Sequence, residues 1–201
     1  MVIQESYFIQ WTQAEGGRCL SFHYFCYGRL CVDSTVQKVK ILIGPYFFGK
    51  SPIGFFDGVA TYVNSGIGIV IKHSTSHCHR GDMAIGTGSN TRAELLALWG
   101  LMFLSHYLNL QDVIIAGDSK VVVDWFNGKA ILNVLILQAW KQRIEDLRSM
   151  FTSIKAFHIH PAYNSQADKL SKTGLNSEFG VLFVDEFEEE SRISSRSLTL
   201  F

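Results

Sequence analysis

The run Ser89–Leu110, SNTRAELLALWGLMFLSHYLNL, constrains the fold of this chain more than any other stretch. Leu95, Leu98, Leu101, Met102 and Leu108 recur at helical spacing, and Trp99 and Phe103 broaden the apolar stripe. A helix this apolar has to lie against a sheet and be largely covered. Strand signals flank it on both sides. Upstream, IGFFDGVATYV, IGIVIKH and CHRGDMAIGTG are β-branched or aromatic runs with short connections, one of them the turn Asn64-Ser65-Gly66, so they predict an antiparallel meander. Downstream, DVIIAGDS is apolar on both faces, as an interior parallel strand is.

The remaining elements complete an alternating pattern. KVVVDWFNG predicts a short helix ended by Asn127-Gly128, and NVLILQAWKQRIEDLRSMF a longer amphipathic one. SIKAFHIHP reads as a fifth strand stopped by Pro161. NSQADKLSKTG reads as a final helix with Asn164 as candidate cap and Gly174 near its end. The order is βββ-α-β-α-α-β-α. A right-handed crossover through the first helix places strand four beside strand one, in parallel, and strand five beyond it. The expected architecture is an α/β fold: a five-stranded mixed sheet of order 3-2-1-4-5, flanked by helices, over residues 51–177. Residues 1–50 carry aromatics without a period and read as an extension, with VKILIGPYFFG a possible edge segment. Residues 178–201, which include the acidic VDEFEEE, read as a solvated, loose tail.

A chain of 201 residues can hold one domain with a substantial core. Its 18 basic and 18 acidic residues cancel, so bulk charge does not advertise nucleic acid. The stretch from Ile53 to Asn176 is nevertheless slightly basic and the end acidic, which leaves room for a basic working face. Cys19, Cys26, Cys31 and Cys78 do not suggest a disulfide framework in a chain of this size, and Cys19, His23, Cys26 and Cys31 fit no zinc spacing. No run is long and apolar enough for a membrane span, and no secretory signal is evident. The expectation is a soluble, intracellular, monomeric protein with reduced thiols and no membrane partner.

Four carboxylates stand out, and each has a plain structural alternative. Asp57-Gly58 could be a hairpin turn. Glu94 could close a capping box opened by Thr91. Asp118 ends the buried strand and could cap the helix after it, and Asp168 sits in a first helical turn where the macrodipole favours an acid. The topology brings the ends of strands one and four side by side, with two helix starts near the same edge. Four converging acids repel one another unless cations intervene, and no Lys or Arg is evident in these apolar segments to neutralise them. An oxygen-only cluster suits Mg²⁺ or Mn²⁺ and not zinc. Two such ions can activate a water and stabilise the leaving oxygen of a phosphodiester.

Taken together, FDGVA (56–60), SNTRAELLAL (89–98), GDSKVVVDW (117–125) and HIHPAYNSQADKLS (158–171) resemble a type 1 ribonuclease H domain. In particular they resemble the reverse-transcriptase-like variety common in plant proteins derived from non-LTR retrotransposons. The resemblance covers about residues 53–176 and implies an endonuclease that hydrolyses the RNA strand of RNA–DNA hybrids with Mg²⁺, leaving 5′-phosphate and 3′-hydroxyl ends. It places the catalytic, metal-binding carboxylates on Asp57, Glu94, Asp118 and Asp168. A mobile-loop histidine falls on His158, with His160 the other candidate. Contacts to the hybrid fall on Gly58, Asn90 and Arg92. Three departures from the pattern are visible. Asn90-Thr91 stand where paired Asn is usual, Pro161-Ala162 stand where Arg-Glu is common, and no basic, tryptophan-rich protrusion follows the short helix. Lys141, Arg143 and Arg148 are candidate backbone contacts, or else a solvated helix face. The alternative function is a binding module or retroelement remnant that keeps the fold with little or no turnover.

Overall fold

The β-branched and aromatic meander forms as the turn signals imply. The computed structural model describes residues 51–201 together with two short strands, Gln13–Ala14 (β1) and Gly17–Arg18 (β2). The chain divides into two units, Met1–Val32 and Asp33–Phe201. In the first, β1 and β2 pair antiparallel. Cys19, His23, Cys26, Cys31 and the VKILIGPYFFG segment lie outside the described residues. In the second unit the meander is β3 (Ile53–Ala60), β4 (Ser65–Lys72) and β5 (His77–Ala84), each paired antiparallel with the next. Asp57-Gly58 is therefore strand, not turn. The reversal lies beyond it, where the Thr61 N–H donates to the Asn64 carbonyl at 2.8 Å.

The apolar run becomes α1 (Asn90–Tyr107), and β6 (Asp112–Gly117) returns parallel to β3. A short helix, α2 (Lys120–Phe126), stops at Asn127-Gly128, where Gly128 takes φ 70°. A 3-10 turn (Leu135–Leu137) leads into α3 (Gln138–Arg148). Then β7 (Ser153–His158) pairs parallel with β6, and α4 (Ser165–Gly174) crosses the sheet. Strand alternation divides the core. Phe56, Ile67, Ile69, Ile71 and Met83 pack with α1, while Ile53, Phe55, Val70, Ile114 and Ala116 pack on the other face with Ala167 and Leu170 of α4.

The sheet has seven strands where five were expected. Its order is β7-β6-β3-β4-β5-β8-β9, so the anticipated five lie in the anticipated order and two more extend the β5 edge. These are β8 (Val181–Glu188) and β9 (Ser191–Thr199), a hairpin built from the stretch that had read as a loose tail. Leu182 and Val184 alternate into the main core, which anchors it. The turn conceals it from a sequence reading. Glu189 and Glu190 both adopt positive φ, 49° and 67°, as a two-residue primed turn requires. Acidic side chains adopt this conformation reluctantly, and Asn-Gly would be the usual pair. Replacing Glu189-Glu190 with Asn-Gly is therefore expected to stabilise the domain by about 1 kcal/mol, seen as a higher urea midpoint at unchanged slope.

Candidate active site

Parallel pairing of β3 with β6 sets Phe56 opposite Gly117, so the next residues, Asp57 and Asp118, emerge side by side. Glu94 reaches the same place from the second turn of α1. That helix is capped by Ser89, whose Oγ accepts from the Arg92 N–H at 3.2 Å. The Thr91–Glu94 capping box is not what begins the helix, and the Glu94 carboxylate turns instead to the sheet, where the Gly58 N–H donates to it. The helix can come this close only because residue 58 lacks a side chain: a Cβ there would lie 2.2 Å from the Ala93 carbonyl carbon and 2.3 Å from the Glu94 nitrogen. Each of Asp57, Glu94 and Asp118 offers an oxygen, and the three oxygens lie within 4.8 Å of one another.

Burial, then the neighbouring charges of Asp57 and Asp118, push the Glu94 carboxyl up to about 9 against the pull of the Gly58 N–H. Asp57 is also raised, chiefly by burial and further by Asp118 and Asp168, while a 2.5 Å hydrogen bond from Ser171 Oγ works the other way. Oε2 of Glu94 is buried without a hydrogen-bond partner. Hard oxygen donors, mutual repulsion and an unsatisfied buried oxygen together fit a hard divalent cation such as Mg²⁺.

Asp168 stands apart from these three. It lies in the first turn of α4 and is bound by Lys172, whose Nζ sits 2.8 Å from each carboxylate oxygen. It is still near enough to Asp57 to raise that group. His158 is the last residue of β7, within the strand read from SIKAFHIHP, and its Nε2 lies 3.1 Å from the Asp118 carbonyl oxygen. His160 is turned aside, with Nδ1 accepting from the Ala162 N–H at 3.2 Å. Two supporting residues had carried no functional reading. Asn164 makes no side-chain cap at α4. Its buried amide donates to the Phe56 carbonyl at 2.8 Å and to Asp118 Oδ1 at 3.0 Å, tying the ends of β3 and β6 together. Ser171, one turn after Ala167 on α4, holds Asp57. Both lie in the HIHPAYNSQADKLS stretch, but their partners are set by the crossing of α4 over the sheet, which the local sequence does not reveal.

A family model described as "Reverse transcriptase-like" matches residues 55–174, which span all of these side chains. The chain belongs to the reverse transcriptase-like family. Solved structures agree on its fold. Ribonuclease H1 from the halophilic archaeon Halobacterium salinarum is similar with a TM-score of 0.57 and 23% identity, over 63% of this chain and 98% of that one. The LC11 ribonuclease H1, solved in complex with an RNA/DNA hybrid, gives 0.58 and 23%, over 63% and 97%. An N-terminal ribonuclease H domain from Mycobacterium tuberculosis, solved as a fusion with maltose binding protein, gives 0.56 and 21%, over 63% and 100%. No curated protein matches the chain. The reverse transcriptase-like domain thus has the ribonuclease H fold.

In this reverse transcriptase-like domain the residues assigned to hybrid contact have internal partners. Asn90 Oδ1 accepts from the Ala60 N–H at 3.0 Å and fastens the end of β3 to the start of α1. Arg92 Nη1 donates to the Ile85 and Thr87 carbonyls at 3.0 and 3.2 Å, bracing the loop before α1. Gly58 serves the close approach already described. Lys141 Nζ donates to the Leu132 carbonyl at 2.9 Å, Arg143 lies over the Trp140 ring, and Arg148 lies over Phe126 and donates to its carbonyl at 2.7 Å. These three cations pack locally on and around α3.

Proposed function

We propose that this protein is an endonuclease that hydrolyses the RNA strand of RNA–DNA hybrids with the help of divalent cations, Mg²⁺ first and Mn²⁺ as a substitute. The convergence of Asp57, Glu94 and Asp118 carries the reading, since three acids gathered within 4.8 Å disfavour the metal-free fold and are useful when a cation binds. The cation supplies a water activated for attack and charge stabilisation at the leaving oxygen. The chain's own residues supply positioning. Ser171 fixes the Asp57 carboxylate, Asn164 fixes Asp118, and the Gly58 N–H orients Glu94. Asp168 is the fourth acid of the set, and its ion pair with Lys172 keeps its charge compensated until a metal competes for it. His158, beside the Asp118 backbone and exposed to solvent, is placed to pass a proton between the site and water. The hybrid would cross the start of α1, where Asn90 and Arg92 stiffen the rim and Gly58 leaves room for the helix. Recognition there would be by backbone shape and 2′-hydroxyls.

The test is cleavage of an end-labelled RNA–DNA hybrid in Mg²⁺, with chelator and Asp118→Asn as controls. Native protein is expected to cut only the RNA strand, and Asp118→Asn to be slower by on the order of a thousandfold. Equal cleavage by the two proteins would remove Asp118 from the mechanism.

A second reading is favoured by Arg92, whose guanidinium is committed to the Ile85 and Thr87 carbonyls, and by Asp168, which is engaged by Lys172. It is a binding module that grips nucleic acid with little turnover. Salt-sensitive hybrid binding without cleavage in either Mg²⁺ or Mn²⁺ would establish it.

A further inference from the structure

A second cluster of ligating side chains lies away from the acids. The segment KHSTSHCH (72–79) places His73 just after β4 and His77 and His79 two apart on β5, so the last two share a face while Cys78 points to the other. The three rings converge, with centroids 4.6 Å apart for His73–His77, 5.0 Å for His73–His79 and 5.5 Å for His77–His79. One ring nitrogen from each lies within 4.8 Å of the others. The added hairpin completes the group. Glu186 of β8 pairs in register with His79, and its Oε1 lies 2.9 Å from His77 Nε2 and 3.7 Å from His79 Nε2. The other oxygen, Oε2, accepts from Ser194 Oγ at 2.9 Å and from Arg196 Nη2 at 3.2 Å. These two bonds from β9 leave Oε1 aimed at the histidines.

We propose that His73, His77, His79 and Glu186 form a zinc site that clips the β4–β5 turn to the C-terminal hairpin. Three imidazoles and one carboxylate are a borderline-soft donor set suited to Zn²⁺, and four protein ligands close the tetrahedron, as in structural sites. Zinc–nitrogen bonds of about 2.1 Å place tetrahedral donors about 3.4 Å apart. Oε1 of Glu186 stands 2.9 Å from His77 Nε2 and 3.7 Å from His79 Nε2, spacings that bracket that value. His79 is only 3% exposed and its ring is fixed by the sheet, while His77 remains reachable from solvent. Ser194 and Arg196 act as the outer shell that orients the carboxylate. The site lies away from the acids: His73 follows Lys72, the last residue of β4, whereas Asp57 pairs with Gly68 in the middle of that strand. It is therefore independent of the nuclease reading.

The full chain, stripped with chelator and returned to saturating Mg²⁺, is to be titrated with zinc sulfate and followed by thermal unfolding. Native protein is expected to rise by about 5–10 °C at a hundredfold excess of zinc over its Kd. His73→Ala and His77→Ala should still unfold cooperatively in chelator but bind zinc at least about a hundredfold more weakly, and Glu186→Gln roughly tenfold to a hundredfold. Substitution of the native chain with Co²⁺ gives a reading that does not depend on the variants. It should show the intense visible bands of a tetrahedral site without the near-ultraviolet thiolate band that Cys19, Cys26 or Cys31 would add. The same zinc-induced shift in native and both histidine variants would overturn the proposal, and so would a thiolate band accounting for all of the bound cobalt.

Discussion

Glu94→Gln is expected to abolish hybrid cleavage and, at the same time, to make the metal-free protein more stable. The two effects share one cause. The Glu94 carboxyl is raised to about 9 because it is buried beside Asp57 and Asp118. A carboxyl with a raised folded pKa binds its proton more tightly in the folded state than in the unfolded chain. Its stabilising contribution is fully present below about pH 4.5 and is lost as pH rises through about 9. Gln stays neutral throughout, keeps an acceptor for the Gly58 N–H, and offers a donor to the neighbouring acids. In chelator the variant and the native protein should therefore melt alike near pH 4.5 and diverge at higher pH, the variant by at least about 4 °C at pH 8. Mg²⁺ should raise the native melting temperature and leave the variant's nearly unmoved. Cleavage should fall by on the order of a thousandfold, because a proposed metal ligand has been removed. A variant destabilised at pH 8 in chelator would contradict the electrostatic account.

Gly68→Ala, like Gly58→Ala, should be among the most damaging single methyls in the described part of the domain. A Cβ at residue 68 would stand 2.2 Å from the Ala167 carbonyl oxygen and 2.3 Å from the Ser171 nitrogen, both backbone atoms of α4. A helix backbone cannot rotate away as a side chain can, so the whole of α4 must lift. The expected cost is about 3 kcal/mol or more, read as a fall in melting temperature of roughly 10 °C. Gly54→Ala is the control. There the nearest atoms are the tips of Leu101, at 2.7 and 2.8 Å, which can adopt another rotamer. Its cost should be less than half as large. Since α4 carries Ser171 and begins beside Asn164, Gly68→Ala should also weaken Mg²⁺ binding at temperatures where the domain is still folded. Equal melting temperatures for the two alanine variants would refute the distinction between backbone and side-chain crowding.

The five strands of the inner sheet and their order were legible because their cause is local: period-two apolar runs, turn residues, and one handed crossover. Asp57 and Asp118 were placed together by that topology alone. The hairpin of β8 and β9 was not legible, because its turn is Glu-Glu at positive φ and its acidic run mimics a solvated tail. The start of α3 was misplaced for a different reason. The apolar run NVLIL suggests helix, yet Leu135 and Ile136 are 88% and 79% exposed in the turn before it. An apolar stretch left outside the core gives no local sign of that. Arg92 was assigned to hybrid contact by the resemblance, and its bond to the Ile85 carbonyl depends on a loop whose path no periodicity describes. The histidine cluster escaped notice because its fourth member, Glu186, lies in the hairpin that the turn concealed.

Asn164 has a consequence for how the protein comes into being. The acids come from β3, α1 and β6, yet Asp118 and Asp57 are braced by Asn164 and Ser171, which are translated after all three. A chain still being synthesised can lay down the five inner strands and α1 before that support exists. On the proposed function, metal affinity would be gained late, when α4 docks on the glycine-lined strands, so a cation would serve as a seal on a finished domain and not as a seed for an unfinished one.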